Sequence, residues 1–519
     1  MFHIPNIIAV FLACICLGLL YVRRVHQKRF SSLFPGPKSI PLLGNAHQFP
    51  LEYQHRVLGE WNKIYGDIIY TRLFRRPVLI LNSAQAAFDL LEKRGSKYSD
   101  RPRFVLINEL IGFDPNLSFM PYGDQWRRHR KWFQAALIDK RKLETYHPMQ
   151  LREVHRLLYM FMQTPDGFIM HIKRLVGALS MEISYGHRAT SLEHDEHIKV
   201  ADDTVTAAFE AGNLGSSLLD FFPILKYLPA AMPGMKAKRE ALRIRPHMRA
   251  LFEKPYFEVK KAMALGTAKP CFLTSMLEDT MKDGDLTEED EYNIMGAAGV
   301  LYAAATDTTS TTLSTFVLAM VLHPDIYRKA QAEIDRVIGT ERLPDFNDRS
   351  SLPYLENVLQ ETYRWNIPVP LGVPHAVIGD DEYQGHYIPG GTTIIPNIWL
   401  MARDPDVFPD PDSFRPERFE EMDTSTAASR DMQKIVFGFG RRVCPGRQFA
   451  DTTVWLAMAN IIAAFDISKA KDAMGNEITP VPAFSSGTIS HPKPFKARIL
   501  PRSDKAAAMV SQLYRSSAL

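Results

Sequence analysis

The chain has 519 residues, 46% of them hydrophobic and 23% charged, ordinary globular proportions that exclude a disordered chain, a collagen and a multi-span membrane protein. Its 62 Lys and Arg exceed its 58 Asp and Glu by four. The first 30 residues carry Arg23, Arg24, Lys28 and Arg29 and no acid, so the rest is formally neutral, which argues against a nucleic-acid protein with charge spread over a face.

Ile7 to Val22 is an uncharged run. At about 1.5 Å per residue it falls slightly short of a bilayer core of roughly 30 Å, and Phe2 and Ile4 extend its apolar character. A cleaved signal peptide puts basic residues before the apolar run and small residues at a cleavage site. Here the basic residues follow it. This order predicts an uncleaved signal anchor over residues 1–30, with the N-terminus across the membrane and the remainder cytosolic. A buried helix is the blander alternative. Phe34-Pro35-Gly36-Pro37, Pro41 and Gly44 then read as a stiff hinge over 34–44, because proline lacks the amide donor that a continuing helix needs.

Periodicity predicts helices over 51–65, 84–94, 124–138, 150–163, 167–185, 198–213, 235–264, 287–322, 324–338, 353–365 and 447–465. Shorter extended pieces fall at 67–73, 77–81, 376–379, 385–388, 392–396 and 495–500. The fold class is therefore mainly α with small β-sheets. No repeat and no linker divides residues 31–519, which read as one domain. Phe221-Phe222-Pro223-Ile224-Leu225 and Tyr227-Leu228-Pro229 form an apolar, proline-broken connector. It reads equally as packing under a loop and as a second membrane contact or lid. Residues 287–322 are small and apolar, so Asp307 is a charge in a core helix and needs a reason to be there.

The four cysteines are Cys14, Cys16, Cys271 and Cys444, without the paired spacing of a disulfide framework. Cys444 stands in Phe437-Gly438-Phe439-Gly440-Arg441-Arg442-Val443-Cys444-Pro445-Gly446, ahead of a helical pattern from Arg447. The glycines let a loop approach a flat ligand. Flanking arginines and helix N-terminal amides stabilise a thiolate, which suits a metal ligand. A small buried hydrophobe and a cysteine nucleophile stay open as alternatives, although no histidine lies nearby in sequence. Zinc is disfavoured, because no second Cys or His sits at ligand spacing.

The segment from Phe437 to Gly446 resembles the haem loop of the cytochrome P450 family of haem-thiolate monooxygenases at every defining position. Other motifs follow in that family's order along most of the chain. Glu361-Thr362-Tyr363-Arg364 is similar to its Glu-x-x-Arg, and Phe414-Arg415-Pro416-Glu417-Arg418-Phe419 to its Pro-Glu-Arg-Phe segment. Trp126 and Arg130 match its Trp-x-x-x-Arg on one helix face. Ala304-Ala305-Thr306-Asp307-Thr308-Thr309 matches its oxygen-side motif, with Ala305 where a glycine is usual.

The resemblance implies the cytochrome P450 fold behind a single N-terminal transmembrane helix. It implies haem b, with Cys444 as axial ligand to the iron and Phe437, Gly438 and Gly446 in the haem-binding loop. Arg442, Trp126, Arg130 and His375 would reach the propionates, and Glu361, Arg364 and Arg418 would form a structural triad. Thr308 would hydrogen-bond on the oxygen side and Asp307 would relay protons.

The implied reaction inserts one atom of O2 into a hydrophobic small molecule. Electrons would come from NADPH through an NADPH-cytochrome reductase at the endoplasmic reticulum membrane, with cytochrome b5 as a second candidate donor. Arg127, Arg128, Lys131, Arg441 and Arg447 would give a basic face for an acidic flavoprotein. The pocket would draw on 102–119, 297–308, 367–372 and 485–490, with Ala304, Val369, Leu371 and Ile489 as wall residues. The last two segments hold no charged residue, which favours an uncharged substrate. Whole-chain character resembles fungal microsomal members of secondary metabolism, with terpenoid, polyketide and aromatic or xenobiotic substrates all open. Two rivals remain: a haem-thiolate isomerase or dehydratase needing no external electrons, kept open by Ala305, and a non-catalytic haem-binding protein. Asn116-Leu117-Ser118 is a formal glycosylation sequon, expected to be unused in the cytosol.

Overall fold

The computed structural model describes residues 33–189, 196–210, 217–282, 284–422 and 431–518. The anchor expected over residues 1–30 lies outside the described residues. Among the described residues, no helix is long and apolar enough to cross a membrane.

The hinge docks early. Tyr70 donates its amide to the Pro35 carbonyl at 2.8 Å, in strand β1 (Ile68–Leu73), which follows helix α1 (Gln54–Tyr65). β1 pairs antiparallel with β2 (Arg76–Leu81) in the register Ile68↔Leu81. The expected helix over 84–94 divides into a turn of α-helix at Ala84–Ala87 and a wider helical turn at Phe88–Lys93.

The helical body then runs α2 (Asp124–Leu137), α3 (His147–Gln163), α4 (Phe168–Tyr185), α5 (Glu196–Glu210), α6 (Lys236–Ala264), α7 (Phe272–Met281), α8 (Glu288–Leu322), α9 (Pro324–Val337) and α10 (Pro353–Trp365). α8 is the axis of the molecule. A capping box starts it: the Thr287 hydroxyl accepts from the Asp290 amide, and Asp290 accepts from the Thr287 amide, both at 3.1 Å. Its residues from Asn293 onward are nearly all buried, so it carries no amphipathic stripe; α4 packs along it.

The remainder returns to the sheet. β3 (His375–Ala376), β4 (Asp381–Tyr383), β5 (His386–Ile388) and β6 (Thr393–Pro396) precede α11 (Arg447–Ala464); β7 (Phe465–Lys471), β8 (Glu477–Ile478), β9 (Ala497–Pro501) and α12 (Asp504–Ala518) close the chain. The largest sheet has the order β1-β2-β6-β3, with β2 and β6 parallel through Leu79↔Ile394. β9 and β8 flank β7 antiparallel. The fold is that of a mainly helical protein with small sheets. α7 and α12 were not among the sequence expectations. The first is only ten residues long, and the second is rich in alanine and polar residues.

The proline-broken connector divides between its two readings. Phe221 and Phe222 pack on Phe74 at the β1–β2 turn, with centroids 5.2 and 4.9 Å away. Ile224 and Tyr227 face solvent at 71% and 74% exposure. Asn116 of the sequon is buried, which keeps its side-chain amide from a glycan, and its Oδ1 accepts from the Ser118 amide at 2.8 Å.

Candidate functional site

The loop before α11 is bent by two glycines with left-handed backbone, Gly438 at φ 80° and Gly440 at φ 55°. A side chain at Gly440 would put its Cβ 2.2 Å from the Leu91 carbonyl oxygen, so the loop lies directly on the wide turn at Phe88–Lys93. The bend returns Cys444 to Phe437, whose carbonyl accepts the Cys444 amide at 2.8 Å. Burial pushes the Cys444 thiol up; the Gly446 amide, Arg130 and Arg447 oppose that. Raised in this way, the thiol needs a positive partner above it to ionise. As a bare nucleophile it is poorly served.

Cys444, Phe437, Gly438 and Gly446 line an apolar cavity of about 310 Å³. α8 supplies Ala304, Ala305 and Thr308 to the same cavity. The Thr308 hydroxyl donates back to the Ala304 carbonyl at 3.3 Å, and the run through Ala305 stays α-helical. Asp307 is buried, with neither carboxylate oxygen hydrogen-bonded, and its Oδ2 lies 3.4 Å from His491 Nε2.

The polar side of the cavity is built around cations. Arg130 donates to the Val443 carbonyl at 2.7 Å, fixing the residue before Cys444. Arg442 turns three of its N–H bonds to the carbonyls of Ser99, Leu117 and Met120, at 2.7, 3.1 and 2.8 Å, and stacks over Trp126 at 4.7 Å. The expected approach of Arg442 to a propionate therefore falls to its remaining N–H bonds, because three carbonyls already hold the fork. Trp126 is buried and its indole N–H has no partner. His375 Nδ1 donates to the Tyr98 carbonyl at 2.8 Å. Burial, reinforced by Arg101, holds its pKa well below the ordinary range, which leaves Nε2 bare in the neutral ring. Arg101, which sequence reasoning missed, also lines the cavity and donates to Val373 and Pro374.

These residues fit haem. Its propionates would meet buried guanidiniums and an indole N–H that lacks an acceptor. Its iron would meet one thiolate, and among the described residues no cluster of three His, Cys, Asp or Glu offers a competing cage.

Ala304, Val369 and Ile489 line the cavity as expected. Leu371 does not; it packs outward on the second core of Leu58, Ile69 and Val78. Gly372 explains this: its φ of 58° and the hydrogen bond that its amide donates to the Val369 carbonyl at 3.0 Å reverse the chain there. The sequence also missed the contribution of α4, through Leu179, Ser180 and Ile183, and Phe209 of α5. Both helices read as ordinary core.

Glu361 accepts from Arg364 at 2.7 and 2.8 Å and from Arg418 at 3.1 Å, all three side chains being almost completely buried. The guanidiniums then donate to the carbonyls of Pro409, Pro411 and Ser413. Of the basic set, Arg127 and Arg441 converge on the Tyr122 ring at 5.4 and 5.5 Å. Arg128 is diverted to Asp290 at the start of α8.

A family model described as cytochrome P450 matches residues 34–498. Cytochrome P450 monooxygenase 136 of Postia placenta is 50% identical over 98% of this chain and 96% of its own length. Cytochrome P450 monooxygenase 176 of the same fungus is 48% identical over 96% of this chain and 95% of its own. Cytochrome P450 monooxygenase claR of Ampulloclitocybe clavipes is 38% identical over 98% and 93%.

Proposed function

The chain belongs to the cytochrome P450 family, as a monooxygenase, and on that footing we propose that it hydroxylates or similarly oxidises an uncharged, hydrophobic small molecule of fungal secondary metabolism. In the overall reaction a substrate C–H, O2, NADPH and one proton give the alcohol, water and NADP+. The electrons arrive through a membrane-bound NADPH reductase that meets the basic patch of Arg127 and Arg441.

Held by the Cys444 thiolate, haem supplies an electron-rich iron at which dioxygen is activated. The chain does the rest. Trp126, Arg130, Arg442 and Arg101 would hold the two propionates, and His375 would join them only when protonated at Nε2. Phe437, Gly438 and Gly446 shape the loop that carries Cys444 and would take part in binding the haem. Phe113, Val369 and Ile489 exclude water and orient the substrate. Thr308 and Asp307 deliver protons from α8. Glu361, Arg364 and Arg418 tie the segment from Pro409 to Ser413 to α10. Residues 1–30 anchor the protein in the endoplasmic reticulum membrane, with residues 31–519 as the cytosolic catalytic domain and 34–44 as its hinge.

The observation that carries this reading is that Cys444 and the Thr308 face of α8 line one apolar cavity. Expression with a reductase, followed by a screen of mixed lipophilic compounds, tests it. Products gaining one oxygen only with NADPH support it, whereas NADPH-independent isomerisation overturns it.

A further inference from the structure

Asp307 is 4% exposed, and neither of its carboxylate oxygens has a hydrogen-bond partner. A buried carboxylate is costly when charged unless something answers it. Among the described residues, the group at ion-pair distance is His491, with Nε2 3.4 Å from Oδ2. Its side chain is 33% exposed, so one ring reaches from the protein exterior to a buried acid.

The ring is held for this position. Its Nδ1 is 2.7 Å from the Thr311 hydroxyl, which donates at 2.9 Å to the carbonyl of Asp307 itself. With that hydroxyl proton committed, Thr311 accepts from Nδ1–H, and Nε2 is the nitrogen free to gain and lose a proton. The backbone is held as well. The His491 amide donates to the Ser485 hydroxyl at 2.9 Å, and its carbonyl accepts from the Ser485 amide at 2.7 Å. Ser490 exchanges hydrogen bonds with Asn366 at 2.8 and 3.1 Å. Thr488 and Ile489 of the same turn line the cavity.

Asp307 and Thr308 are successive residues of an α-helix, about 100° apart around its axis. Asp307 lines the cavity beside Thr308, and its Oδ2 also meets His491. One carboxylate therefore joins the partly exposed ring to the cavity side of the helix.

We propose that His491 is the proton inlet of this enzyme, taking protons from solvent and passing them to Asp307. In the step the Nε2–H bond of the cationic ring breaks and an Oδ2–H bond forms. The ring returns to neutral with its proton still on Nδ1, donated to the Thr311 hydroxyl oxygen. The proton continues through water to the Thr308 side, as one of the two that leave in the water product. The proposal rests on the reading of Asp307 as a proton relay. His491 does not line the cavity and acts through Asp307.

The test uses the full chain with reductase, NADPH and 7-ethoxycoumarin as a lipophilic probe. Product and hydrogen peroxide per NADPH are measured, together with the solvent isotope effect on NADPH oxidation and the reduced carbon-monoxide spectrum. His491→Ala should keep the wild-type spectrum, lower product per NADPH by about tenfold, raise peroxide and enlarge the isotope effect. This is a part of the ~10²-fold that a direct proton donor contributes. His491→Gln keeps a hydrogen-bonding side chain but carries no working proton, so it should behave like alanine. Adding His491→Ala to Asp307→Asn should cost nothing further.

Independently of turnover, Asp307→Asn should move the ¹⁵N resonance of His491 Nε2 in the carbon-monoxide complex. Full coupling restored by glutamine would make the residue architectural and overturn the inlet, as would wild-type coupling in His491→Ala or an unmoved Nε2 resonance. A wild-type protein with no haem-thiolate spectrum would instead overturn the proposed function.

Discussion

Asp220, in the short turn Leu218–Phe221, accepts a hydrogen bond from the Leu106 amide at 3.0 Å. Burial pushes its carboxyl up to about 6, against the opposing pull of the Leu106 and Val105 amides and Arg76. A raised acid favours the fold in its neutral form. Its contribution is complete below the unfolded value of ~3.9 and is lost as the pH rises through about 6, a cost on the order of 2–3 kcal/mol at neutral pH. Asp220→Asn keeps an oxygen acceptor, so it should flatten the melting temperature between pH 4 and 6 relative to wild type and stabilise the protein above that window. An unchanged pH slope would refute this. Other single residues differ in how far the chain announces them. Cys444, Trp126 and Arg364 stand in motifs with internal spacing. Arg101 has none, and its role depends on Val373 and Pro374, far along the chain. His491 reaches Thr311 across 180 residues, which no local pattern encodes. Leu371 reads as a wall residue until the reversal at Gly372 turns it outward.

Among elements, the long helices are legible because burial imposes a period, and α10 matches its expected bounds of 353–365. The strands are harder. β3 is two residues long and exists by pairing with β6, not by its own propensity. The wide turn at Phe88–Lys93 is set by contact with the Cys444 loop, as the closeness of Gly440 to Leu91 attests. The triad is the strongest cross-element tie. Glu361 is the carboxylate that both buried guanidiniums share, so Glu361→Gln raises the net charge of the triad from +1 to +2 and leaves neither guanidinium with a carboxylate. We expect a loss of roughly 3–5 kcal/mol, read as a lower melting temperature with weaker haem retention. Glu361→Gln melting within a degree or so of wild type would show that the segment Pro409–Ser413 is held by something else.

Over the whole molecule, charge and apolar exposure mark an orientation. The four surplus cations follow the apolar run at the N-terminus. The exposed Ile224 and Tyr227 belong to the connector that packs on Phe74, and Phe74 in turn donates its amide to Leu43 of the hinge at 3.0 Å. Removing residues 1–30 should therefore weaken but not abolish binding to phospholipid vesicles, and adding Ile224→Asp with Tyr227→Asp should abolish it. A truncated chain that never binds vesicles would confine the membrane contact to the anchor. The central claim is that Cys444 makes this chain a haem-thiolate monooxygenase, and the reduced carbon-monoxide spectrum tests it most directly. Wild type should show a Soret band at about 450 nm, and Cys444→His should bind haem yet move that band to shorter wavelength. A wild-type band already at the shorter wavelength, or one unmoved by Cys444→His, would contradict it.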